Sequence, residues 1–204
     1  MSEVTPQLEA LLKHPSLWRG RGAAVTESFA TGFPALDQAL PGGGWPRSGL
    51  VEILAPGVGF GELGLWAPLV TRLTRSEAAR WCAFVAPPFE PFVPAWSAQG
   101  ARLDRLLVVR TGQPLWALEQ SLLSGACSIT FAWPQRATMP QLRRLSLATE
   151  RGASLGVLFR PLRAAVEHTT AVLRMALTRT ATQLRIELLK GRGVTPRVIE
   201  LSLP

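Results

Sequence analysis

The segment Val51–Leu65, VEILAPGVGFGELGL, decides the fold of this chain. Its apolar start predicts a strand over Leu50–Leu54, and the glycine-rich turn Ala55–Gly61 leads into a helical run from about Glu62 to Leu73. A strand that feeds such a turn at the start of a helix is the arrangement in which backbone N–H groups bind phosphate. The segment therefore predicts an α/β fold with the outline of a phosphate-binding loop.

The chemistry of a phosphate-binding loop is missing from this turn. Such a loop needs a Lys to reach the β- and γ-phosphates and a following Ser or Thr to hold Mg²⁺. Here Gly61 is followed by Glu62, whose carboxylate repels phosphate, and by Leu63, which offers magnesium no ligand. We therefore expect no cofactor and no metal at this turn, although its backbone N–H groups leave weak anion binding open. The degenerate loop consists of Ala55, Pro56, Gly57, Gly59, Gly61 and Glu62.

Short apolar runs alternate with helical segments after this turn. The further predicted strands are Trp81–Val85, Leu106–Val109, Ile129–Phe131 and Leu155–Phe159, and the predicted helices between strands cover 62–73, 93–99, 115–123 and 141–151. From Ala171 onward the apolar period changes to two, which predicts a hairpin and a last strand over Val198–Leu203. The pattern predicts a mostly parallel sheet with helices on both faces and an antiparallel C-terminal edge.

The ends of the neighbouring predicted strands also lack catalytic groups. An enzyme that hydrolyses nucleotides with this architecture needs a carboxylate after the second strand, where this chain has Ala86–Phe89, and an Asp after the fourth, where it has Trp133. We therefore expect no catalytic residue and a protein that is not an enzyme. Four aromatic side chains are expected to fill the space where a nucleotide would lie: Phe60, Phe89, Phe92 and Trp133.

The net charge of +8 is unevenly distributed along the chain. Residues 136–204 hold twelve Lys or Arg and four Asp or Glu, so the whole excess lies there. A basic region of this kind is either a surface for a nucleic acid or an acidic partner, or a solvated face without a partner. The candidate partner-binding residues are Arg143, Arg144 and Arg151 on one predicted helix, and Arg174, Arg179, Arg185, Lys190, Arg192 and Arg197 in the C-terminal third.

The chain is divided by its pattern into an N-terminal helix and linker, 1–28, and one domain, 29–204. Leu8, Leu11, Leu12 and Trp18 are suited either to cap this domain or to pack on a neighbouring subunit, so a homo-oligomer remains open. The N-terminal residues are not expected to form a signal peptide, and no window reaches the ~18 apolar residues of a membrane span. Cys82 and Cys127 lie in apolar strands, which is typical of buried thiols in a reducing compartment. We expect a cytoplasmic protein with no membrane contact.

Several motifs of the chain resemble the RecA family and, more closely, the ImuA proteins within it. The segment Thr31–Pro56, with TG at 31–32, LD at 36–37, GG at 43–44 and VEI at 51–53, is similar to the start of the RecA core. The motifs that resemble ImuA are WRG at 18–20, LPGGGWP at 40–46 and GEL at 61–63. From Glu62 to Pro161 the chain is also similar to SulA, a division inhibitor that shares this degenerate fold but lacks the 31–46 lead-in. The resemblance implies a RecA-like core whose catalytic positions fall on Glu62, Leu63, Pro88 and Trp133.

What this resemblance implies is a non-catalytic role in SOS-induced mutagenesis. The expected partners are an ImuB-like scaffold related to polymerases, RecA itself and, indirectly, an alternative polymerase subunit. RecA's second DNA-binding loop falls on Leu162–Thr170, which carries Arg163 as its one arginine or lysine, so direct DNA contact is expected to be weak. Two alternatives stay open: a SulA-like inhibitor of cell division, and a RecA paralogue that binds nucleotide or DNA weakly.

Overall fold

The computed structural model describes residues 28–59, 61–77, 80–180, 183–191 and 197–202. The predicted N-terminal helix with Leu8, Leu11, Leu12 and Trp18 lies outside the described residues, and so do Phe60 and Arg192. The division of the chain at residue 28 therefore stays a prediction.

The strands of the described part of the chain form two sheets. Two short strands, β1 (Ser28–Phe29) and β2 (Trp45–Pro46), pair antiparallel with each other. Eight further strands form one sheet: β3 (Gly49–Ala55), β4 (Trp81–Val85), β5 (Leu106–Val109), β6 (Cys127–Ala132), β7 (Leu155–Pro161), β8 (Leu173–Arg179), β9 (Leu184–Gly191) and β10 (Val198–Leu201).

The order of strands across the large sheet is β10-β9-β8-β3-β7-β6-β4-β5. Every neighbouring pair from β8 to β5 is parallel, whereas β9 runs antiparallel to both β8 and β10. This confirms the predicted mixed α/β fold with a large, mostly parallel sheet, and the antiparallel edge lies at its C-terminal side as expected. Because all the parallel strands point the same way, the loops after β3, β4, β6 and β7 meet at one edge of the sheet.

Helices connect the parallel strands of the sheet, as such crossovers require. A short helix, α1 (Pro34–Asp37), lies between β1 and β2, and the helices between the parallel strands are α2 (Ala67–Arg75), α3 (Val93–Ala98), α4 (Pro114–Leu123) and α5 (Met139–Arg151). A proline occupies the first turn of each of these five helices. Proline has no backbone N–H, but the N–H groups of the first turn have no partner within the helix, so no hydrogen bond is lost there. The prolines therefore favour helix starts at these positions.

The strand β3 is buried along its whole length because helices cover both faces of the sheet. Val51 and Ile53 face a large apolar core that also contains Trp66 and Phe131. Leu50 faces the second core, which contains residues of α4 and α5 such as Leu118 and Leu145. The loop after β3 is therefore attached to the most deeply buried strand of the sheet.

The helix after this loop begins later than the sequence predicted. It was expected from about Glu62, but α2 begins at Ala67. The residues between form turns, with the Gly64 amide donating to the Gly61 carbonyl at 2.9 Å and the Trp66 amide to the Leu63 carbonyl at 3.0 Å. Glu62 thus belongs to the loop rather than to the helix, which changes what its carboxylate can reach.

Candidate functional site

The loop after β3 keeps the backbone shape of an anion-binding turn. Gly59 and Gly61 adopt positive φ angles of 82° and 85°, which residues with a Cβ rarely adopt. The residues Pro56–Gly59 are exposed at the edge of the sheet, whereas Glu62 is buried, with 7% of its surface accessible. This arrangement places one buried carboxylate under an exposed glycine-rich turn.

The Glu62 carboxylate binds the backbone of its own loop. The amide of Gly59 donates a hydrogen bond to Oε1 of Glu62 at 3.1 Å. A backbone N–H in such a turn is the kind of group that would donate to a phosphate oxygen. Since the chain's own carboxylate accepts this bond, its negative charge also opposes the approach of a second anion.

A small cavity of about 120 Å³ lies beside this loop at the ends of β3, β6 and β7. Glu62, Trp133, Arg160 and Arg163 are among the residues that line it. The ring of Trp133 stacks on that of Phe159 with 4.9 Å between centroids, and this aromatic pair takes up space next to the loop. Trp133 therefore lies where the sequence placed it.

Two of the aromatic residues expected in this space are elsewhere. Phe89 and Phe92 are each 70% exposed, so the expectation that they fill a nucleotide space is wrong. In the sheet β4 is separated from β3 by β7 and β6, and the loop after β4 is drawn towards the outer strand β5. The Arg110 guanidinium, just after β5, donates to the Glu90 carboxylate of this loop at 2.7 Å.

A buried network of charged side chains lies beneath the cavity, and sequence reasoning did not identify it. Glu52 of β3 is fully buried and accepts from Arg160 Nη1 at 2.8 Å and from Arg174 Nε at 2.7 Å. Arg160 also donates to Glu167 at 2.6 Å. Burial lowers the pKa of Arg160, but its hydrogen bonds to the two carboxylates outweigh this and raise it. The signal in the sequence was a lone Glu inside the apolar run Val51–Leu54, which requires a buried partner.

Arg174 is a correction to the predicted partner-binding residues. Its side chain is 5% exposed, and besides Glu52 it donates to the carbonyls of Ala165 and Glu167 at 3.1 and 2.8 Å. The strand register places Arg174 directly beside Glu52, so the buried acid draws this arginine into the core. It is not available on the surface for a partner.

Comparisons with known proteins identify homologues of this chain. No protein-family model matches the chain. The cell division inhibitor SulA of Edwardsiella piscicida is 30% identical over 140 residues, which cover 67% of this chain and 81% of that protein.

The chain belongs to the SulA family.

Proteins named ImuA are also homologues of this SulA-family chain. Protein ImuA of Caulobacter vibrioides is 28% identical over 138 residues, which cover 65% of this chain and 57% of ImuA, so the match spans little more than half of the ImuA protein. The crystal structure of SulA from Pseudomonas aeruginosa is 22% identical with a TM-score of 0.45, covering 54% of this chain and 97% of that one. The resemblance to ImuA and SulA that the motifs indicated is confirmed.

The remaining basic candidates of this SulA-family chain lie on two elements of the surface. Arg143, Arg144 and Arg151 are exposed on α5, and Arg144 donates to Glu119 of α4 at 2.7 Å. On the antiparallel edge of the sheet, Arg179 and Arg185 are exposed. Two further candidates there are tied to backbone carbonyls, Lys190 to Thr169 at 2.9 Å and Arg197 to Gln38 at 2.6 Å.

The cysteines of the SulA-family chain are buried, free thiols on the neighbouring strands β4 and β6. Burial, with a smaller contribution from Cys127, raises the pKa of Cys82 to about 12, and burial likewise raises the pKa of Cys127. Within the described ranges no three His, Cys, Asp or Glu side chains are grouped as a metal ion would need. Nor does the described part of the chain contain a helix that is long and apolar enough to cross a membrane.

Proposed function

We propose that this chain is a non-catalytic, RecA-like accessory protein of SOS-induced translesion synthesis, acting in the cytoplasm through protein–protein contacts. Its proposed partners are an ImuB-like scaffold and RecA, with an alternative polymerase subunit contacted indirectly. The homologues named ImuA and SulA support a place in the response to DNA damage. The loop after a central parallel strand supports a RecA-like origin of the core.

The observation that carries the non-catalytic part is the hydrogen bond from the Gly59 amide to the Glu62 carboxylate. A nucleotide at this loop would place phosphate against a buried anion that is already held by the backbone. Removing a carboxylate from water is itself costly, so the interaction with Gly59 is part of the folded structure and not an incidental contact.

The other positions that resemble catalytic ones in RecA support the same proposal. Pro88 offers no base, and Trp133 is stacked on Phe159 at the cavity. The segment that would correspond to a DNA-binding loop folds back on the core, because Glu167 binds Arg160 and the Ala165 carbonyl accepts from Arg174. A segment held in this way is poorly suited to reorganise around DNA.

The experiment that tests this proposal measures nucleotide binding and partner binding with the same preparation. ATP with Mg²⁺ should leave the melting temperature of the chain unchanged, whereas a nucleotide-competent site would raise it. RecA, which binds ATP, serves as the positive control for the assay. The immobilised chain should retain purified RecA and a purified ImuB-like protein; ATP turnover, or retention of neither partner, would overturn the proposal.

A SulA-like inhibitor of cell division is the second candidate function. It is favoured by one observation: the match covers 81% of the SulA relative but only 57% of the ImuA relatives. The two candidates are separated by adding the chain to polymerising FtsZ, the division protein that SulA-like inhibition would target. Inhibition of polymerisation at stoichiometric concentrations would favour division control over mutagenesis.

A further inference from the structure

The outer surface of α4 and α5 combines exposed apolar side chains with arginines. Trp116 on α4 is 58% exposed and Leu147 on α5 is 52% exposed, and Leu123 at the end of α4 is also exposed. Isolated exposed leucines are ordinary, but a Trp and two leucines on two adjacent helices form a patch. Trp and Arg are also the residue types that most often dominate binding energy at protein interfaces.

A cavity of about 130 Å³ opens between the two helices beside Trp116. Leu115 and Leu145 form its apolar wall, and Glu119 and Arg144 form its polar rim. A salt bridge of 2.7 Å joins these two side chains. Because the Glu119 side chain is only 16% exposed, its packing restricts its position and thereby that of the Arg144 guanidinium. The cavity is thus a preformed place for one apolar side chain of a partner.

The arginines of α5 make this surface positively charged. Arg144, Leu147 and Arg151 lie at successive turns of α5, and Arg143 flanks the same stripe. Among the described residues, neither Arg143 nor Arg151 has a hydrogen-bond or ion-pair partner. Their guanidinium groups are therefore available for carboxylates of a partner that places its apolar side chains between them.

We propose that the α4–α5 surface, made of Trp116, Leu123, Arg143, Arg144, Leu147 and Arg151, docks an acidic amphipathic segment of a partner protein. An apolar side chain of that segment enters the cavity beside Trp116, and its carboxylates pair with Arg143 and Arg151. This inference rests on the proposed function, since it assigns a surface and a chemistry to one of its protein contacts.

Two other occupants fit the surface less well. A second copy of this chain, docked through the same patch, would bring the arginines of α5 face to face, which costs energy. For a nucleic acid, the exposed side chains of Leu123 and Leu147 offer no contact to phosphate. The Glu119 carboxylate at the rim of the cavity would repel the phosphates. The acidic amphipathic segment satisfies both the apolar and the basic groups.

The test uses the full chain and a fluorescein-labelled synthetic peptide with Leu or Phe at every third or fourth position and Asp or Glu between them. Fluorescence anisotropy at low salt should detect binding of this peptide but not of a version with Lys in place of the acids. Trp116→Ala should weaken binding at least about tenfold, as truncation of an interface tryptophan commonly does. The double variant Arg143→Ala/Arg151→Ala should weaken it and flatten its salt dependence.

The matched controls are Phe92→Ala and Arg110→Ala, an exposed aromatic residue and an exposed ion-paired arginine that are not part of the α4–α5 surface. Both should bind the peptide as the unsubstituted chain does. The proposal is overturned if the acidic peptide does not bind, or if the controls lose as much affinity as Trp116→Ala. Displacement of the peptide by oligo-dT would show that the surface binds nucleic acid instead. Loss of self-association in Trp116→Ala, measured by light scattering, would show that it binds a second copy of the chain. Retention of the partner proteins by the unsubstituted chain is measured separately, so a failure of the proposed function is distinguished from a failure of this surface.

Discussion

The carboxylate of Glu52 compensates the positive charges of two arginines in the core. It accepts hydrogen bonds from both Arg160 and Arg174, all three being almost completely buried. Glu52→Gln keeps the shape but removes the negative charge, so two guanidinium groups remain in the core with only Glu167 to compensate them. We expect the free energy of unfolding to fall by about 3–5 kcal/mol, the usual cost of breaking a buried ion pair. Urea denaturation measures this loss.

The ion pair between Arg110 and Glu90 provides a matched control for Glu52. Its length of 2.7 Å equals that of the bond from Arg174 to Glu52, but its side chains are 74% and 63% exposed. Glu90→Gln should therefore cost less than about 1 kcal/mol, as exposed pairs do. Equal losses in the two variants would mean that burial does not set the strength of the Glu52 network.

The buried thiol of Cys82 makes stability depend on pH in the alkaline range. Its pKa is about 12 in the folded protein against an ordinary value of 9.0, so the folded state keeps a proton that the unfolded state loses. Its contribution to stability is complete below about pH 9 and declines as the pH rises towards 12, by up to about 1.4 kcal/mol per pH unit. Cys82→Ala should show a shallower decline in denaturation experiments above pH 9; parallel declines would contradict the assignment.

At the residue scale, the sequence shows which residues follow Gly61, but not which group the Glu62 carboxylate binds. The absence of Lys and Ser or Thr after Gly61 is visible in the chain itself. The bond from Gly59 to Glu62 is not, because it depends on α2 beginning at Ala67 and on two glycines with positive φ. The exposed positions of Phe89 and Phe92 likewise depend on the order of the strands in the sheet. This order cannot be predicted from the pattern of neighbouring residues.

At the scale of elements, the ends of α4 and α5 meet where Gly152 follows α5. A Cβ at Gly152 would overlap the backbone carbonyl oxygen of Leu122, which the Ser154 hydroxyl also binds at 3.1 Å. Gly152→Ala therefore forces the two helix ends apart and should destabilise the protein by about 1–3 kcal/mol, as overpacking does elsewhere. Gly112→Ala is the control, because nothing lies within 4 Å of the added Cβ. Equal melting temperatures of the two variants would contradict this close approach.

The ends of strands that coincide with the ends of apolar runs were predicted well. The strands β4 and β5 begin and end where the apolar runs do, at Trp81–Val85 and Leu106–Val109. The helices α4 and α5 were predicted to begin one and two residues late, because the prolines in their first turns were not taken as starting points. The start of α2 was misplaced because periodicity does not distinguish the turns over Gly61–Trp66 from a helix.

At the scale of the whole molecule, fewer basic side chains are free on the surface than the sequence suggests. Arg160 and Arg174 are buried against carboxylates, and Arg144 is paired with Glu119. The predicted candidates that are exposed and not ion-paired include Arg143 and Arg151 on α5 and Arg179 and Arg185 at the hairpin of β8 and β9, and Arg136 and Arg163 of the basic region are exposed elsewhere. A net charge of +8 is therefore not in itself evidence for one extended groove that binds a polyanion.

Binding of DNA by this chain should accordingly involve few phosphates. Each phosphate neutralised contributes about −0.9 to the slope of log K against log salt, and a patch with two to four free cations predicts a slope of about −2 to −4. Anisotropy of a labelled duplex across a salt series measures this slope. The charge reversals Arg179→Glu and Arg185→Glu should reduce it by at most about two, one for each contact. A slope near −8 would contradict this prediction, because it would require about twice as many phosphate contacts as four free arginines can make.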